Sequence, residues 1–337
     1  MKIPYRTRRF LRRLGLTLLA LLMVAVVAWM CWVIWLERFV IYSDDGARLD
    51  FDRGSDFSGG EVAVPPEEKA PISIFYNEGD DAVSLSTELT RLSGYCITAE
   101  ALSDISALRE QIALLKSDVP LMLEVKNPRG AFYYSTSIGT VTTENAAEVD
   151  KLIRDLAQSG RYLIARLPAM RDREFGLNNV NCGLFNPSRY SLWMDDGGCY
   201  WLDPSVSGTM TYLTGIVQEL KGLGFDEVVF SEFYFPENGG YIFDGNKSEA
   251  LTEAAQSLVT ACATDSFAVS FVRGSTSFTV PEGRSRIYIQ NADASGAASV
   301  AADTGLENPV IRLVFLTDSF DTRFDEYGTM RPIENVR

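Results

Sequence analysis

The stretch that decides the fold is residues 224–236, which read Gly-Phe-Asp-Glu-Val-Val-Phe-Ser-Glu-Phe-Tyr-Phe-Pro. A helical pattern runs into Gly222 and stops there, as helices often do at glycine. The apolar run that follows is rich in β-branched and aromatic residues, which is typical of a buried strand. Ser231 and Glu232 mark the polar end of that strand, and Pro236 prevents further ladder pairing. Helix, turn, strand and polar end form the repeating unit of an α/β barrel, whose strand ends carry the site.

Strand-like and helix-like segments alternate on both sides of this unit, which predicts a parallel sheet. Asn246 and Glu249 predict a capped helix that reaches Cys262. Besides the opening stretch, six segments read as barrel strands: Gly94–Thr98, Leu121–Val125, Arg161–Leu167, Phe267–Val272, Arg286–Gln290 and Val310–Phe315. We therefore predict a TIM-like (β/α)8 barrel of the α/β class with seven clear strands. The eighth is hidden near the C-terminus, supplied by Ile72–Tyr76, or missing, which would leave the barrel incomplete or distorted.

An uncharged apolar run occupies Leu14–Leu36, directly after a basic tail. At a helical rise of about 1.5 Å per residue it extends about 34 Å, enough to cross a hydrocarbon layer of about 30 Å. Tryptophans near its far end favour the membrane interface, and the basic tail predicts a cytoplasmic N-terminus. The alternative is a cleaved signal peptide, which the length of the run and the lack of a small-x-small cleavage site disfavour.

These features divide the chain into four parts: a cytoplasmic basic tail at 1–13, a transmembrane helix at 14–36, an acidic Gly/Pro linker at 37–70 and an extracytoplasmic α/β-barrel domain at 71–337. The linker has few apolar groups to bury, so we expect it to remain extended. The last part is close in length to the roughly 250 residues of a typical barrel. We therefore expect a single-pass protein of the cell membrane.

Composition excludes several classes of site. The chain contains no histidine, which excludes Ser-His-Asp triads, Cys-His nucleophiles and His-ligated zinc. We predict no metal and no cofactor, and any acid–base chemistry falls to carboxylates, Tyr, Lys or Cys. The net charge is −14, although residues 1–13 hold six basic residues and no acid. The rest of the chain is therefore strongly acidic, which predicts no nucleic-acid partner and is explained equally well by solubility.

Four cysteines fall in the predicted barrel domain. Cys182 and Cys199 lie on the long excursion between the third strand and the third helix, where a disulfide would fasten the loop outside the cell. Cys96 and Cys262 fall on predicted core faces, so we expect them to be buried thiols.

Five segments in order carry a family resemblance. They are Gly94–Ala99, Leu121–Asn127 with Gly130 and Tyr133-Tyr134-Ser135, Tyr162–Leu167 with Arg171-Asp172, Trp193 with Gly197-Gly198 and Trp201-Leu202-Asp203-Pro204, and the opening stretch. Together they resemble the "putative glycoside hydrolase" family of bacterial α/β-barrel proteins known as domain of unknown function 4015. The resemblance spans residues 94–236 and implies a barrel that acts on glycosidic bonds.

The chain departs from the family pattern at the strand end. The family's Asp falls on Ser231 and its Arg on Tyr234. If that Asp is the family's catalytic carboxylate, this chain has lost it. Glu232 sits one place along, but successive strand residues face opposite sides of a sheet. Glu232 can therefore serve only if the strand end is bulged or has already turned into loop.

Glycoside hydrolysis usually needs two carboxyl groups about 5 to 9.5 Å apart. The strand-end candidates for catalysis are Glu232 and Glu124. Glu124 and Lys126 lie on one strand face, so a structural salt bridge between them is the more favoured interpretation. Arg166 stands in an otherwise apolar strand and needs a carboxylate partner, for which Glu124 is the natural candidate.

The remaining candidates are expected to bind substrate. The aromatic residues on the excursion either stack against sugar rings or form the small core that a loop of this length needs. The candidate substrate-binding set is Arg166, Asp172, Trp193, Trp201, Asp203, Ser231 and Tyr234.

Three hypotheses follow for function. The first is a membrane-anchored glycoside hydrolase that acts on cell-envelope or environmental polysaccharide. The second is a catalytically inactive barrel that binds carbohydrate or another cell-envelope component, which the serine at position 231 favours. A purely structural envelope protein is the third.

Overall fold

The computed structural model of the chain describes residues 23, 29, 40–43, 46–49, 89–237 and 239–335. The fourteen strands in this part of the chain, in order, are β1 Val40–Ser43, β2 Gly46–Leu49, β3 Ser93–Ile97, β4 Leu121–Glu124, β5 Ala131–Phe132, β6 Val141–Thr142, β7 Leu163–Pro168, β8 Phe185–Asn186, β9 Ser191–Leu192, β10 Glu227–Ser231, β11 Ala268–Val272, β12 Ile287–Gln290, β13 Leu313–Leu316 and β14 Gly328–Pro332. The α-helices are α1 Ile105–Ala113, α2 Ala146–Gln158, α3 Arg173–Asn178, α4 Ser207–Gly222, α5 Lys247–Cys262, α6 Ala297–Asp303 and α7 Pro309–Arg312.

Eight of these strands form a closed barrel in the order β3, β4, β7, β10, β11, β12, β13, β14. Every neighbouring pair is parallel, and β14 pairs with β3 to close the ring. The predicted TIM-like architecture is therefore confirmed. All seven predicted strands are present, and α5 begins at the predicted cap, where Asn246 accepts hydrogen bonds from the N–H groups of Ser248 and Glu249.

The barrel is complete, and of the three alternatives for the eighth strand the one near the C-terminus is confirmed. The eighth strand is β14, near the C-terminus, where Met330 pairs with Gly94 across the closing seam. Its five residues, Gly-Thr-Met-Arg-Pro, include glycine, proline and a charge, so the segment lacks the apolar run by which the other strands were predicted. The alternative strand at Ile72–Tyr76 lies outside the described residues.

Two apolar layers share the barrel strands. Inward-facing side chains fill the interior as one cluster: Leu92, Met122, Ile164, Val229, Val272, Tyr288, Val314 and Met330. The alternate side chains face outward and pack under the helices, as Val228 and Phe230 do on β10. The interior is thus a packed core, as in other barrels of this size. Function must therefore lie at the strand ends.

A buried ion pair lies at the amino end of β10. Glu227 and Arg286 form a salt bridge, and neither side chain is exposed by more than 1%. The Glu227 carboxylate also accepts hydrogen bonds from Tyr162 (3.0 Å), Ser270 (2.5 Å) and Tyr288 (3.0 Å). The partners come from the regions of β7, β11 and β12, so the Glu227 carboxylate on β10 links four strand regions at the amino end of the barrel.

The chain divides into two compact units, Met1–Asp81 and Ala82–Arg337. In the first, β1 and β2 form an antiparallel hairpin within the predicted linker. The predicted transmembrane segment lies outside the described residues apart from Met23 and Trp29. Within the described ranges, no helix has both the length and the apolar character needed to cross a bilayer.

Candidate functional site

The end of β10 turns Glu232 towards the open face of the barrel. Val229 belongs to the interior cluster, so alternation also directs Ser231 inward and would direct Glu232 outward. Instead, Glu232 has a φ of 51°, in the left-handed region that non-glycine residues seldom adopt. Its carbonyl oxygen accepts a hydrogen bond from the N–H of Met170 (3.2 Å), which anchors the turn to the neighbouring loop. The sequence required the chain to leave the strand before Glu232 if this residue was to face the barrel mouth, and the left-handed backbone at Glu232 meets that requirement.

Glu232 lines an open depression at the carboxyl ends of the strands, with a volume of about 960 Å³; we call it the rim depression. Its carboxylates are Asp195, Asp196, Glu232 and Glu237, and its cations are Arg171 and Arg273. Its other side chains are aromatic, neutral and polar, or aliphatic, namely Trp193, Trp201, Tyr234, Ser275, Gln290, Asn291, Met194 and Pro236. The mixture of carboxylates, aromatic edges and amides is suited to a polar ligand with several hydroxyl groups.

Tyr234 holds the Glu232 side chain in place. The Tyr234 hydroxyl donates a hydrogen bond to Glu232 Oε2 at 2.8 Å. Burial raises the pKa of Tyr234 above its ordinary value, and the hydrogen bond to Glu232 raises it further, so the phenol remains a donor. Gly274 lies against the tyrosine ring without space for a side chain. The tyrosine that stands at position 234 in place of the family's arginine is therefore the hydrogen-bond donor to Glu232.

A second carboxylate of the rim depression, Asp195, is fully engaged. Its Oδ2 accepts hydrogen bonds from Arg171 Nε (2.6 Å) and Trp201 Nε1 (2.9 Å), and its Oδ1 accepts one from the N–H of Cys199 (2.9 Å). Burial by itself would raise the pKa of Asp195, but these hydrogen bonds and the charge of Arg171 hold that pKa below its ordinary value. Asp195 is therefore a fixed anion that organises the loop.

Asp195→Asn is expected to lower the free energy of unfolding by about 1 kcal/mol at pH 7, because charge-assisted hydrogen bonds become neutral ones. Since the folded-state pKa of Asp195 is depressed, its contribution is present above the ordinary aspartate pKa and is lost as pH falls through the folded-state value. Urea unfolding between pH 3 and pH 7 should thus show a shallower acid loss in the variant. Equal slopes for the two proteins would contradict this.

The two tryptophans of the excursion are mostly buried. Trp193 is 9% exposed and Trp201 is 4% exposed. Trp201 packs on Tyr234 with ring centroids 5.0 Å apart, and Trp193 packs on Tyr241 at 5.1 Å. The structure thus makes them the core of the loop, and little of either side chain is exposed to the rim depression. Broad stacking on either indole face is not available to a ligand.

Glu124 and Arg166 form the predicted pair across β4 and β7. Arg166 Nη1 lies 3.0 Å from Glu124 Oε1, and Glu124 Oε2 accepts the N–H of Ala99 at 3.0 Å. Both side chains face the barrel interior at its carboxyl end, beside Cys96, whose pKa burial raises to about 12. Neither residue lines the rim depression. Of the two predicted catalytic carboxylates, Glu232 lines the rim depression, whereas Glu124 is paired with Arg166.

The Glu124–Lys126 salt bridge expected from the sequence is wrong. Lys126 lies beyond the end of β4, and its Nζ is 2.7 Å from Asp172 Oδ2, with both side chains fully buried. Asp172 also caps α3 through the N–H of Phe175 and accepts a hydrogen bond from the Tyr212 hydroxyl at 2.8 Å. Asp172 therefore stabilises the fold beneath the rim and does not reach the depression.

Asp203 also lies away from the rim depression. Its Oδ1 accepts hydrogen bonds from the N–H (2.8 Å) and the hydroxyl (2.5 Å) of Ser205, in the turn that leads into α4. Ser231 faces the barrel interior at the end of β10 and is not among the residues lining the depression. Of the predicted site residues, Glu232, Tyr234, Trp193 and Trp201 meet there.

The predicted disulfide is absent, because Cys182 and Cys199 are both free thiols. Cys182 lies in a short 3-10 turn and its sulfur faces Gly208 at the start of α4. The Cys199 thiol lies 3.8 Å from the carbonyl oxygen of Gly197 within its own turn. The two sulfurs thus pack in different directions. The prediction of buried thiols holds for Cys262. Cys96 is half-buried as a whole residue, but its sulfur lies inside the barrel, 3.7 Å from the sulfur of Met122.

Sequence reasoning missed Asp195, Arg273 and Gln290 as rim residues. The sequence did contain a signal for Asp195, because Asp195-Asp196-Gly197-Gly198 is typical of a tight turn, and Asp195 is the first residue of that turn. Gly198 adopts a φ of 73° there. In the part of the chain that the structure describes, no group of three or more Cys, Asp or Glu side chains could hold a metal ion.

Comparisons with known proteins identify the family of the chain. The family model described as a "putative glycosyl hydrolase domain", domain of unknown function 4015, matches residues 94–269. A search of curated proteins gives no match. Among solved structures, the chain is similar to a hypothetical protein from Ruminiclostridium thermocellum, with 19% identity, a TM-score of 0.47 and coverage of 53% of this chain and 96% of that one.

Two glycosidases are also similar in structure. The GH36 alpha-galactosidase AgaA from Geobacillus stearothermophilus has 12% identity and a TM-score of 0.47, covering 73% of this chain and 40% of that one. The GH20 exo beta-N-acetylglucosaminidase from Vibrio harveyi has 11% identity and a TM-score of 0.44, covering 67% and 41%. This chain thus spans less than half the length of either enzyme. Because the family model covers more than half of the chain, the protein belongs to the glycosyl hydrolase-like family of domain of unknown function 4015.

Proposed function

We propose that the protein acts on polysaccharide, which it binds in the rim depression, and that Glu232 is the carboxylate that acts on the glycosidic bond. The observation that carries this proposal is the left-handed turn at Glu232, which moves a carboxylate from the outer face of β10 into an open cavity. Such strained backbone is retained where the surroundings impose it, frequently at functional sites.

The chemistry asked of Glu232 is general acid–base catalysis. The Tyr234 hydroxyl donates its hydrogen bond to Glu232 Oε2. In the described part of the chain, Glu232 Oε1 accepts no hydrogen bond. That oxygen is free to face a glycosidic oxygen or an attacking water. Asp196 and Glu237 are exposed carboxylates of the same depression and are available as the second acid group. Glu124, the second candidate from the sequence, is instead committed to Arg166.

A second candidate function is carbohydrate binding without hydrolysis. The observation that favours it is the serine at position 231, since this inward-facing strand end carries no carboxylate. Asp195 does not replace it, because both of its oxygens already accept hydrogen bonds and Arg171 pairs with its charge. In this case the rim depression would bind a glycan or another cell-envelope component, and Glu232 would accept hydrogen bonds from its hydroxyl groups.

One experiment tests both functions. The full chain is incubated with peptidoglycan, cellulose, chitin and β-1,3-glucan, and new reducing ends and co-sedimentation are both measured. New reducing ends support hydrolysis, and co-sedimentation alone supports the binding function. If the chain neither releases reducing ends nor sediments with any of these polymers, the proposed function is rejected.

We further propose that Leu14–Leu36 anchors the protein in the cell membrane with the barrel outside. The uncharged run and the basic tail before it support this orientation. We expect the full chain to stay in the membrane pellet after alkaline carbonate extraction, and protease added to spheroplasts to digest the barrel. A chain released by carbonate, or a barrel protected from the added protease, would contradict the anchor or its orientation.

A further inference from the structure

A second depression adjoins the first on the long excursion. It has a volume of about 970 Å³, and we call it the distal depression. It shares five lining residues with the rim depression, namely Trp193, Met194, Asp195, Asp196 and Gly240. The two cavities therefore adjoin along these residues, and we call them together the groove, with Glu232 in the rim depression and the β8–β9 hairpin at the distal depression.

Tyr190 stands at the far end of this groove. It lies in the turn of the β8–β9 hairpin and lines the distal depression, and it is 89% exposed. Its φ is 51°, which is rare for a bulky residue. The turn is held by Asn186, whose Oδ1 accepts hydrogen bonds from the N–H groups of Ser188 and Arg189. The hairpin thus presents an aromatic ring to solvent at a cost in backbone strain.

The remaining lining, which includes the charged Arg189, is suited to a hydroxylated ligand. Phe185 and Met194 are exposed apolar side chains, and Asn181 contributes an exposed amide. Apolar faces beside amide and hydroxyl groups match a sugar, which has C–H groups on its ring faces and hydroxyls on its edge. Unlike the buried tryptophans, Tyr190 leaves its ring accessible for stacking.

We propose that the distal depression is a subsite for further sugar units, so that the ligand is a polymer lying along the groove and not a single sugar or a chain end. The proposal rests on the proposed function, because it assumes that the rim depression binds a glycan. A chain that reaches from Glu232 to Tyr190 occupies both depressions, whereas a disaccharide occupies only one.

The test uses oligosaccharides of two and six units from cellulose, chitin and β-1,3-glucan, with affinity measured by calorimetry on the full chain. For at least one series we expect the hexamer to bind about tenfold more tightly than the dimer, which is the scale of one added aromatic contact. Tyr190→Asn removes the ring while tolerating the left-handed backbone. It should abolish the advantage of the hexamer and leave dimer affinity unchanged.

Tyr190→Phe is the matched control, since it keeps the ring and should keep the advantage of the hexamer. Equal affinity for the two lengths, or a length dependence unaffected by Tyr190→Asn, would overturn the distal subsite while leaving the proposed function standing. Absence of binding by every oligosaccharide at either length would overturn both.

Discussion

Glu232→Gln is expected to lower kcat/KM for polysaccharide hydrolysis by about 10²- to 10⁴-fold, the usual contribution of a positioned acid–base group. The amide has the shape of the carboxylate and can still accept the hydrogen bond from Tyr234, so the fold should be retained. Because the glycan still binds in the rim depression, the loss should fall on kcat, with KM nearly unchanged. Initial rates of reducing-end release measure both constants.

Glu110→Gln provides the matched control for Glu232→Gln. Glu110 is an exposed residue of α1 and lies outside the rim depression, so its replacement should leave both constants unchanged. Hydrolysis retained at wild-type rate by Glu232→Gln would exclude this carboxylate as the catalytic group. The binding function would be supported if neither protein releases reducing ends while both sediment with the polymer.

Glu227→Gln is expected to lower the free energy of unfolding by about 3 to 5 kcal/mol, because it leaves the Arg286 guanidinium buried without its anion. Glu227 and Arg286 are exposed by no more than 1%, so water cannot replace the missing charge. Three hydroxyl groups that now donate to the carboxylate also lose a charged acceptor. Chemical denaturation followed by circular dichroism measures the difference.

An exposed ion pair is the control for this loss. Arg109 and Asp155 are 2.7 Å apart, with side chains 44% and 56% exposed. Asp155→Asn should therefore change the unfolding free energy by less than about 1 kcal/mol. The double variant Glu227→Gln with Arg286→Met should recover part of the loss, since it removes the uncompensated charge. If Glu227→Gln and Asp155→Asn lower the free energy of unfolding by similar amounts, the burial of the Glu227–Arg286 pair does not make its loss more destabilising, and the prediction is contradicted.

The barrel could be predicted because its strands and helices are local patterns. Seven strands carry apolar runs that end at polar residues, and the pairing of Arg166 with Glu124 followed from a charge in an apolar strand. The strand β14 could not be found in this way. It carries glycine, an arginine and proline in place of an apolar run, and its identity depends on pairing with β3 across more than 200 residues of chain.

The site was less accessible to sequence reasoning than the fold. Alternation along a strand predicts which face a residue takes, and by that rule Glu232 faces away from the barrel mouth. The left-handed turn that reverses this follows from the loop packed beside it, where Met170 donates to Glu232. Likewise, nothing in the local pattern of Trp193 separates a loop core from a stacking surface, because burial depends on which rings surround it.

The amino-acid sequence by itself determined the alternation of strands and helices, the absence of histidine chemistry and the segments that place the chain in its family. These properties are carried by residue type and by spacings within a few turns of chain. Tertiary structure alone decided the closure of the ring, the direction of Glu232, the partner of Lys126 and the groove from the rim to Tyr190. Each of these depends on contacts between segments far apart in the chain, and their geometry is set only when the barrel closes.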